Sequence, residues 1–266
     1  MRKERIDVLL VEQGFFDSRE KAKRAIMAGI VYANTARILK AGEKVRDDVE
    51  IMVKGKTIPY VSRGGLKLEK AIQTFGLDLT GKTVLDIGAS TGGFTDCALQ
   101  NGAKFVYALD VGTNQLDWKL RNDERVLSLE KTNFRYATPE LFNNGQPEFA
   151  TIDVSFISLS NILPNLATIL VPDGEVMALI KPQFEAGREF IGKKGIIREP
   201  KVHQMVLENT IAMMNQTGFD VVDISHSPIT GGEGNIEFIA YLRLRAPQTP
   251  AWDSAKIVAE AHQQFK

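Results

Sequence analysis

The sequence predicts an α/β protein, a Rossmann-like and mostly parallel sheet of seven strands with the last antiparallel, preceded by a small basic α+β module. Three observations carry this prediction. The apolar run Thr83-Val84-Leu85-Asp86-Ile87 leads into a glycine turn, Gly88-Ala89-Ser90-Thr91-Gly92-Gly93, and a helix start at Phe94-Thr95. Strand, glycine turn and helix form the opening unit of nucleotide-binding α/β folds. A second strand, Phe105 to Leu109, ends in Asp110, about 20 residues further on, where an acid holds ribose hydroxyls in such folds. Charge is also split: residues 1–70 carry 16 Lys and Arg against 10 Asp and Glu, residues 71–266 carry 17 against 23, and the whole chain is neutral.

In chain order, residues 1–54 read as the separate module. Ile6 to Gln13 is a short helix ending at Gly14, and Asp17-Ser18 caps a second helix, Arg19 to Ala28, closed by Gly29. Ala22, Ala25 and Ile26 form its inner face, leaving Arg19, Lys21, Lys23 and Arg24 for solvent. Short strands follow at Ile30–Tyr32, Lys44-Val45 and Val49–Val53. Residues 55–61, with Gly55 and Pro59, read as a linker, and residues 62–266 as the large domain. That domain opens with a helix from about Leu66 to Phe75 carrying Lys67, which the helix dipole disfavours there. After the glycine turn come a helix over Leu116–Leu120 and strands at Arg125–Leu129, Phe149–Val154 and Gly174–Lys181. The stretch Glu185–Arg198, with three glycines and with Arg188, Lys193, Lys194 and Arg198, reads as a mobile active-site loop. Pro200 starts a helix that Gly218 ends; strands follow at Phe219–Ile224 and Ile236–Leu242, and an amphipathic helix closes the chain at Asp253–Phe265.

Composition excludes several classes. Cys97 is the single cysteine and the three histidines are scattered, so neither an internal disulfide nor a metal site is expected. The N-terminal stretch lacks the apolar core of a signal peptide, and the cytoplasm is the expected compartment. Val154 to Pro172 is free of charge, but its serines, asparagines and Pro164 read as a strand end, a loop and a buried helix rather than a membrane span. No obligatory protein partner is evident.

The spacing of the turn is Asp-x-Gly-x-x-x-Gly-Gly, not the G-x-G-x-x-G of dinucleotide enzymes, which argues against a nicotinamide dehydrogenase. An acid before the first glycine would repel a pyrophosphate but suits the cationic amino-acid end of S-adenosylmethionine. In an open α/β sheet ligands lie beyond the carboxyl ends of the parallel strands. Asp153 and Lys181 stand at two such ends. An antiparallel last strand would begin beside them and bring Glu237, and Lys67 could reach the same edge from its helix. Two lysines and two carboxylates would alternate there and neutralise one another. A lysine becomes a base only with a lowered pKa, which burial or a second cation supplies. On strand placement alone, the set reads equally as unrelated ion pairs.

Two resemblances bear on these alternatives. Arg5-Ile6-Asp7-x-x-Leu10-Val11, Ser18-Arg19-x-x-Ala22 and Ile26-x-x-Gly29-x-Val31 resemble the S4 RNA-binding domain, with Tyr32-Ala33-Asn34-Thr35 where that family has Val-Asn-Gly. Ser62-Arg63-Gly64-Gly65-x-Lys67-Leu68, Asp86-x-Gly88 through Thr95, Asp110-Val111-Gly112-x-x-Gln115-Leu116, Asp153-x-Ser155-Phe156-Ile157-Ser158 and Lys181-Pro182-Gln183-Phe184-Glu185 resemble the TlyA, or hemolysin A-like, family. Its catalytic domain is similar to the FtsJ-type ribose 2′-O-methyltransferases. The resemblance implies S-adenosylmethionine held by Asp86, Gly88, Ala89, Ser90, Thr91, Gly92, Gly93, Phe94 and Thr95 and by Asp110 and Val111, with Asn133 nearby. It implies a Lys67-Asp153-Lys181-Glu237 tetrad in which Lys181 takes the proton of a ribose 2′-hydroxyl in ribosomal RNA, cytidine among the targets. Arg5, Arg19, Lys21, Lys23, Arg24 and Arg63 are the expected RNA contacts. The competing readings are an inactive RNA-binding or ribosome-assembly protein and a membrane-active hemolysin; an idle site has no use for four buried charges, and no cationic amphipathic helix of the needed strength serves the second.

Overall fold

A computed structural model describes residues 3–55, 58–192, 195–248 and 252–266. Lys56 and Thr57 of the expected linker, and Lys193 and Lys194 of the expected loop, lie outside the described residues. The chain divides into two compact units, Met1–Gly65 and Leu66–Lys266.

The first unit contains strand β1 (Lys3–Arg5), helices α1 (Ile6–Glu12) and α2 (Arg19–Met27), and strands β2 (Val31–Ala33), β3 (Ala36–Arg37), β4 (Lys44–Arg46) and β5 (Ile51–Val53). Ser18 Oγ accepts a hydrogen bond from the Lys21 N–H and so caps α2, as the sequence predicts. Gly29 closes it at φ +67. Strands β3, β2 and β5 form one small antiparallel sheet. Ile6, Leu10, Ala22, Ile26 and Val31 are among the buried residues of its core. The turn that lacks the family's glycine is made by Asn34 at φ +52, a conformation asparagine tolerates. Strand β1 was not predicted: Lys3-Glu4-Arg5 has no apolar alternation, and it is a strand only because β4 pairs with it.

The second unit continues with α3 (Gly65–Phe75), β6 (Thr83–Ile87), α4 (Gly93–Gln100), β7 (Phe105–Leu109), α5 (Trp118–Arg121), β8 (Val126–Leu129), β9 (Phe149–Ile152), α6 (Leu163–Ile169), β10 (Glu175–Ile180), α7 (Pro182–Glu185), α8 (Pro200–Gln216), β11 (Phe219–His226), β12 (Phe238–Leu244) and α9 (Ser254–Gln264). The seven strands lie in the order β11-β12-β10-β9-β6-β7-β8. Strands β10, β9, β6, β7 and β8 are parallel, and β12 is antiparallel to both its neighbours. This is the Rossmann-like sheet with an antiparallel last strand. The central strands β6 and β9 are wholly buried, which is why they read as mostly apolar runs, interrupted only by Thr83, Asp86 and Thr151. The charge-free stretch after Val154 is a loop, a 3₁₀ turn and the helix α6, which buries only the face of Leu163, Leu166 and Ile169 and leaves Pro164 and Thr168 exposed. No helix among the described residues is long and apolar enough to cross a membrane.

One helix begins later than predicted. The sequence places it over Leu116–Leu120, but α5 starts at Trp118 because Asp117 Oδ1 accepts from the Lys119 N–H and caps it there. Leu116 and Leu120 are buried instead over Gly92, where an added Cβ would lie 2.7 and 2.3 Å from their Cδ1 atoms.

Candidate active site

The carboxyl ends of β6, β7 and β9 open onto a cavity of about 480 Å³. Its floor is the turn after β6. Gly88 stands at φ +85, and a Cβ there would sit 2.5 Å from the backbone oxygen of Asp153; no other residue allows this approach of β6 to the loop after β9. At the end of β7, Asp110 is held by both oxygens, Oδ2 accepting from the Ser90 N–H at 2.8 Å and Oδ1 from the Gly112 N–H at 2.7 Å. Ser90 adopts φ +48 to make its contact. The carboxylate keeps free lone pairs and lines the cavity beside Val111 and Asn133.

Not every predicted cofactor residue reaches the cavity. Gly88, Ser90, Asp110, Val111 and Asn133 line it, whereas Asp86, Ala89, Thr91, Gly92, Gly93, Phe94 and Thr95 do not. Asp86 is buried, with Oδ2 accepting from Thr95 Oγ1 at 2.7 Å and Oδ1 from Thr151 Oγ1 at 2.9 Å. Burial pushes its carboxyl up to about 6; the two hydroxyl hydrogen bonds oppose the shift and the charge of Asp153 adds to it. The sequence reading missed Gln115, Thr132 and Phe134, which also line the cavity. A carboxylate with free lone pairs, a glycine floor and apolar walls fit the ribose and base of a nucleoside.

At one edge of the cavity the four predicted charged residues meet. Lys67 comes from the first turn of α3, Asp153 from the residue after β9, Lys181 from the residue after β10 and Glu237 from the residue before β12. Lys67 Nζ lies 2.6 Å from Glu237 Oε2 and 3.7 Å from Asp153 Oδ2. Lys181 Nζ pairs closely with Asp153 Oδ1 and donates to Ser155 Oγ at 3.3 Å. Lys67, Lys181 and Glu237 are only 6%, 8% and 2% exposed. Glu237, Lys67, Asp153 and Lys181 thus form one alternating chain of charge, as burial requires. Asp153, shared by both lysines and more open than they are, also lines the cavity. The amine of Lys181 and the cavity therefore share one wall. Such a set can bind a hydroxyl and hold its proton next to a bound electrophile.

The predicted RNA contacts are at the surface of the first unit, and four of the six, Arg5, Arg19, Lys21 and Lys23, are paired with carboxylates. Asp7 is buried and accepts from Arg5 Nε at 2.9 Å and from Arg19 Nη2 at 2.8 Å. Burial raises its carboxyl, but the two guanidiniums more than offset this and hold it at about 2. Lys21 pairs with Asp17, and Lys23 Nζ with Glu20 Oε1 at 2.7 Å. Arg24 is half-buried in the last turn of α2, and Arg63 is exposed just before α3.

Comparisons with known proteins agree with both units. Residues 60–244 match the model described as FtsJ-like methyltransferase, and residues 4–51 match the S4 domain. A Bacillus subtilis (strain 168) protein, provisionally described as an rRNA methyltransferase, is 59% identical over 270 residues, which cover 100% of this chain and 96% of that protein. The 16S/23S rRNA (cytidine-2′-O)-methyltransferase TlyA of Mycobacterium tuberculosis (strain ATCC 25618 / H37Rv) is 38% identical over 261 residues, 98% of this chain and 96% of its own. A solved protein of Streptococcus thermophilus, provisionally described as a hemolysin, superposes with a TM-score of 0.81 at 56% identity, covering 100% of this chain and 98% of that one.

Proposed function

Since the chain belongs to the TlyA-like family of FtsJ methyltransferases that carry an S4 domain, we propose that it methylates a ribose 2′-hydroxyl of ribosomal RNA, with cytidine as the target nucleoside, in the cytoplasm. The observation that carries this reading is the buried Lys67–Asp153–Lys181–Glu237 chain at the cavity wall. S-adenosylmethionine supplies an electrophilic methyl group when bound. Asp110 and the Gly88–Ser90 turn are the residues that would hold it, with Val111, Asn133 and Phe134 around it.

The chain's own part is proton handling and alignment. A ribose hydroxyl is a poor acid, so its proton needs an acceptor at the moment of transfer. Lys181 is the acceptor in this reading, because its amine faces Asp153 and Ser155 at the cavity. Asp153 aims that amine and, through Lys67, is tied to Glu237. Lys67 adds a second cation beside Asp153, so that carboxylate is shared between two amines. Burial of Lys67 and Glu237 keeps water away from one side of the set. The S4 unit docks the RNA through its basic surface.

The test is product analysis. Ribosomal subunits incubated with the protein and S-adenosylmethionine are hydrolysed in alkali, which cleaves only next to a free 2′-hydroxyl. The proposal predicts methyl groups in alkali-resistant dinucleotides that yield 2′-O-methylcytidine. Methyl groups recovered on a base would contradict it.

A further inference from the structure

The segment from Asp153 to Leu159 joins β9 to the 3₁₀ turn Leu159–Asn161. It brings Asp153 and Ser155 to Lys181, and Val154, Phe156 and Ile157 form one wall of the cavity. This wall is strained. Phe156 has φ +64, a left-handed conformation that a bulky side chain resists. The residue is 91% exposed, so burial does not compensate for the strain. A residue stays in such a conformation only where its surroundings over-determine it.

At its start the segment is held to β6 by the Asp153 N–H, which donates to Ile87 O at 3.0 Å, and side chains of one short stretch, Lys181–Glu185, reach both of its ends. Lys181 ties down the start of the segment through Asp153 and Ser155. The Phe184 ring lies 5.2 Å from that of Phe156, at an interplanar angle of 51°. Glu185 ties down the far end: Oε2 accepts from Ser158 Oγ at 2.7 Å and Oε1 from the Leu159 N–H at 2.9 Å. Ser158 Oγ in turn accepts from the Ser160 N–H and caps the 3₁₀ turn. The strained residue therefore lies between two anchors, one of which belongs to the charged set and one of which does not. Burial raises the Glu185 carboxyl above its ordinary value, against the pull of these two donors. A group held at that disadvantage is there for its geometry.

We propose that Glu185 is a positioning residue of the methyl-transfer site: by holding Ser158 and Leu159 it fixes the Asp153–Ile157 wall against Lys181. The inference rests on the methyl-transfer reading for its consequence, but not for its structural content. Glu185 touches none of the four charged residues, and its effect passes through the backbone of the wall.

The full-length chain is measured as wild type, Glu185→Ala, Glu185→Gln and Ser158→Ala. Two quantities are read: methyl transfer to ribosomal subunits at saturating S-adenosylmethionine, and amide hydrogen exchange over residues 154–159. In Glu185→Ala the exchange of this segment should speed up while the rest of the second unit keeps its protection. Its kcat should fall by roughly 10- to 100-fold, the scale of a misplaced reacting group, with little change in KM for the RNA. Glu185→Gln should recover most of both, because its amide oxygen can accept from Leu159 and its amide N–H₂ can donate to Ser158 Oγ. Ser158→Ala should fall between. Wild-type exchange and wild-type kcat in Glu185→Ala would overturn the proposal, as would equal losses in the Ala and Gln variants with exchange unchanged. If Glu185→Ala does not fold, the ordering of wild type, Glu185→Gln and Ser158→Ala decides. Should the wild type methylate no RNA, the function reading fails and exchange alone judges the anchor.

Discussion

Gly231 has no room for a side chain. An added Cβ would lie 2.5 Å from Glu237 Oε1, so even alanine must shift the carboxylate whose other oxygen holds Lys67. The fold should survive Gly231→Ala, since the backbone there is not left-handed, but the charged chain should not stay aligned. We expect kcat for methyl transfer to drop by about 10-fold or more, with S-adenosylhomocysteine affinity by calorimetry little altered. Unchanged kcat would mean that Glu237 has no part in alignment. Asp86 gives a prediction of a different kind. Its carboxyl rises from 3.8 to about 6 on folding, first through burial. The folded chain therefore favours its protonated form. That contribution is fully present below pH 3.8 and is lost as pH rises through about 6. Asp86→Asn never ionises, and the hydroxyls of Thr95 and Thr151 can turn to suit it. At pH 7.5 it should resist denaturant more than wild type, by up to about 3 kcal/mol, and the gap should close toward pH 4. A gap independent of pH would contradict the assignment.

Helices α8 and α9 meet through a histidine pair, His203 Nδ1 and His262 Nε2 being 2.9 Å apart. One ring donates and the other accepts, so the accepting ring must be neutral. Burial, and then the nearness of His262, lowers His203 from 6.5 to about 4. A lowered histidine contributes stability that is present above pH 6.5 and is lost as pH falls toward 4. Hydrogen exchange in α9 should therefore accelerate between pH 6.5 and 5 beyond the intrinsic change, and His203→Gln should flatten that dependence. Sequence and structure part company at this scale for physical reasons. Strands β6, β7, β9 and β10 were legible because buried parallel strands read as continuous apolar runs, and α2 and α8 because Ser18 and Pro200 mark their starts. Strand ends located Asp153 and Lys181, an antiparallel last strand brought Glu237, and Lys67 came from its helix; placement alone left the four open to a reading as unrelated ion pairs, and the family resemblance joined them into one set. Strand β1 was not, since pairing with β4 alone makes it a strand. Nor was the inward aim of Asp86: a strand buried on both faces has no alternation to say which way a side chain points. Ser155 and Glu185 were visible in their motifs, but hydrogen bonds between segments distant in sequence follow no period.

Each of the two units has its own core, and the charge excess of the chain is divided between them, positive over residues 1–70 and negative beyond. In the proposed division of labour the first unit supplies RNA affinity and the second the chemistry. A chain lacking residues 1–56 should then bind S-adenosylhomocysteine as the full chain does and yet lose methylation of ribosomal subunits. Equal RNA methylation by the shortened chain would refute the docking role. The same reading makes RNA binding fall steeply as salt rises, because phosphate contacts release counterions. The central claim is that Lys181 removes the ribose proton. Arginine at this position keeps the positive charge and the partner Asp153 but cannot give up its own proton, which separates a base from a mere cation. The direct measurement is single-turnover transfer of a labelled methyl group to ribosomal subunits by wild type and Lys181→Arg, with S-adenosylhomocysteine binding measured beside it. The account predicts alkali-resistant label with wild type and a loss of about 10²-fold or more in the variant, cofactor affinity being kept; transfer by Lys181→Arg at the wild-type rate would contradict it.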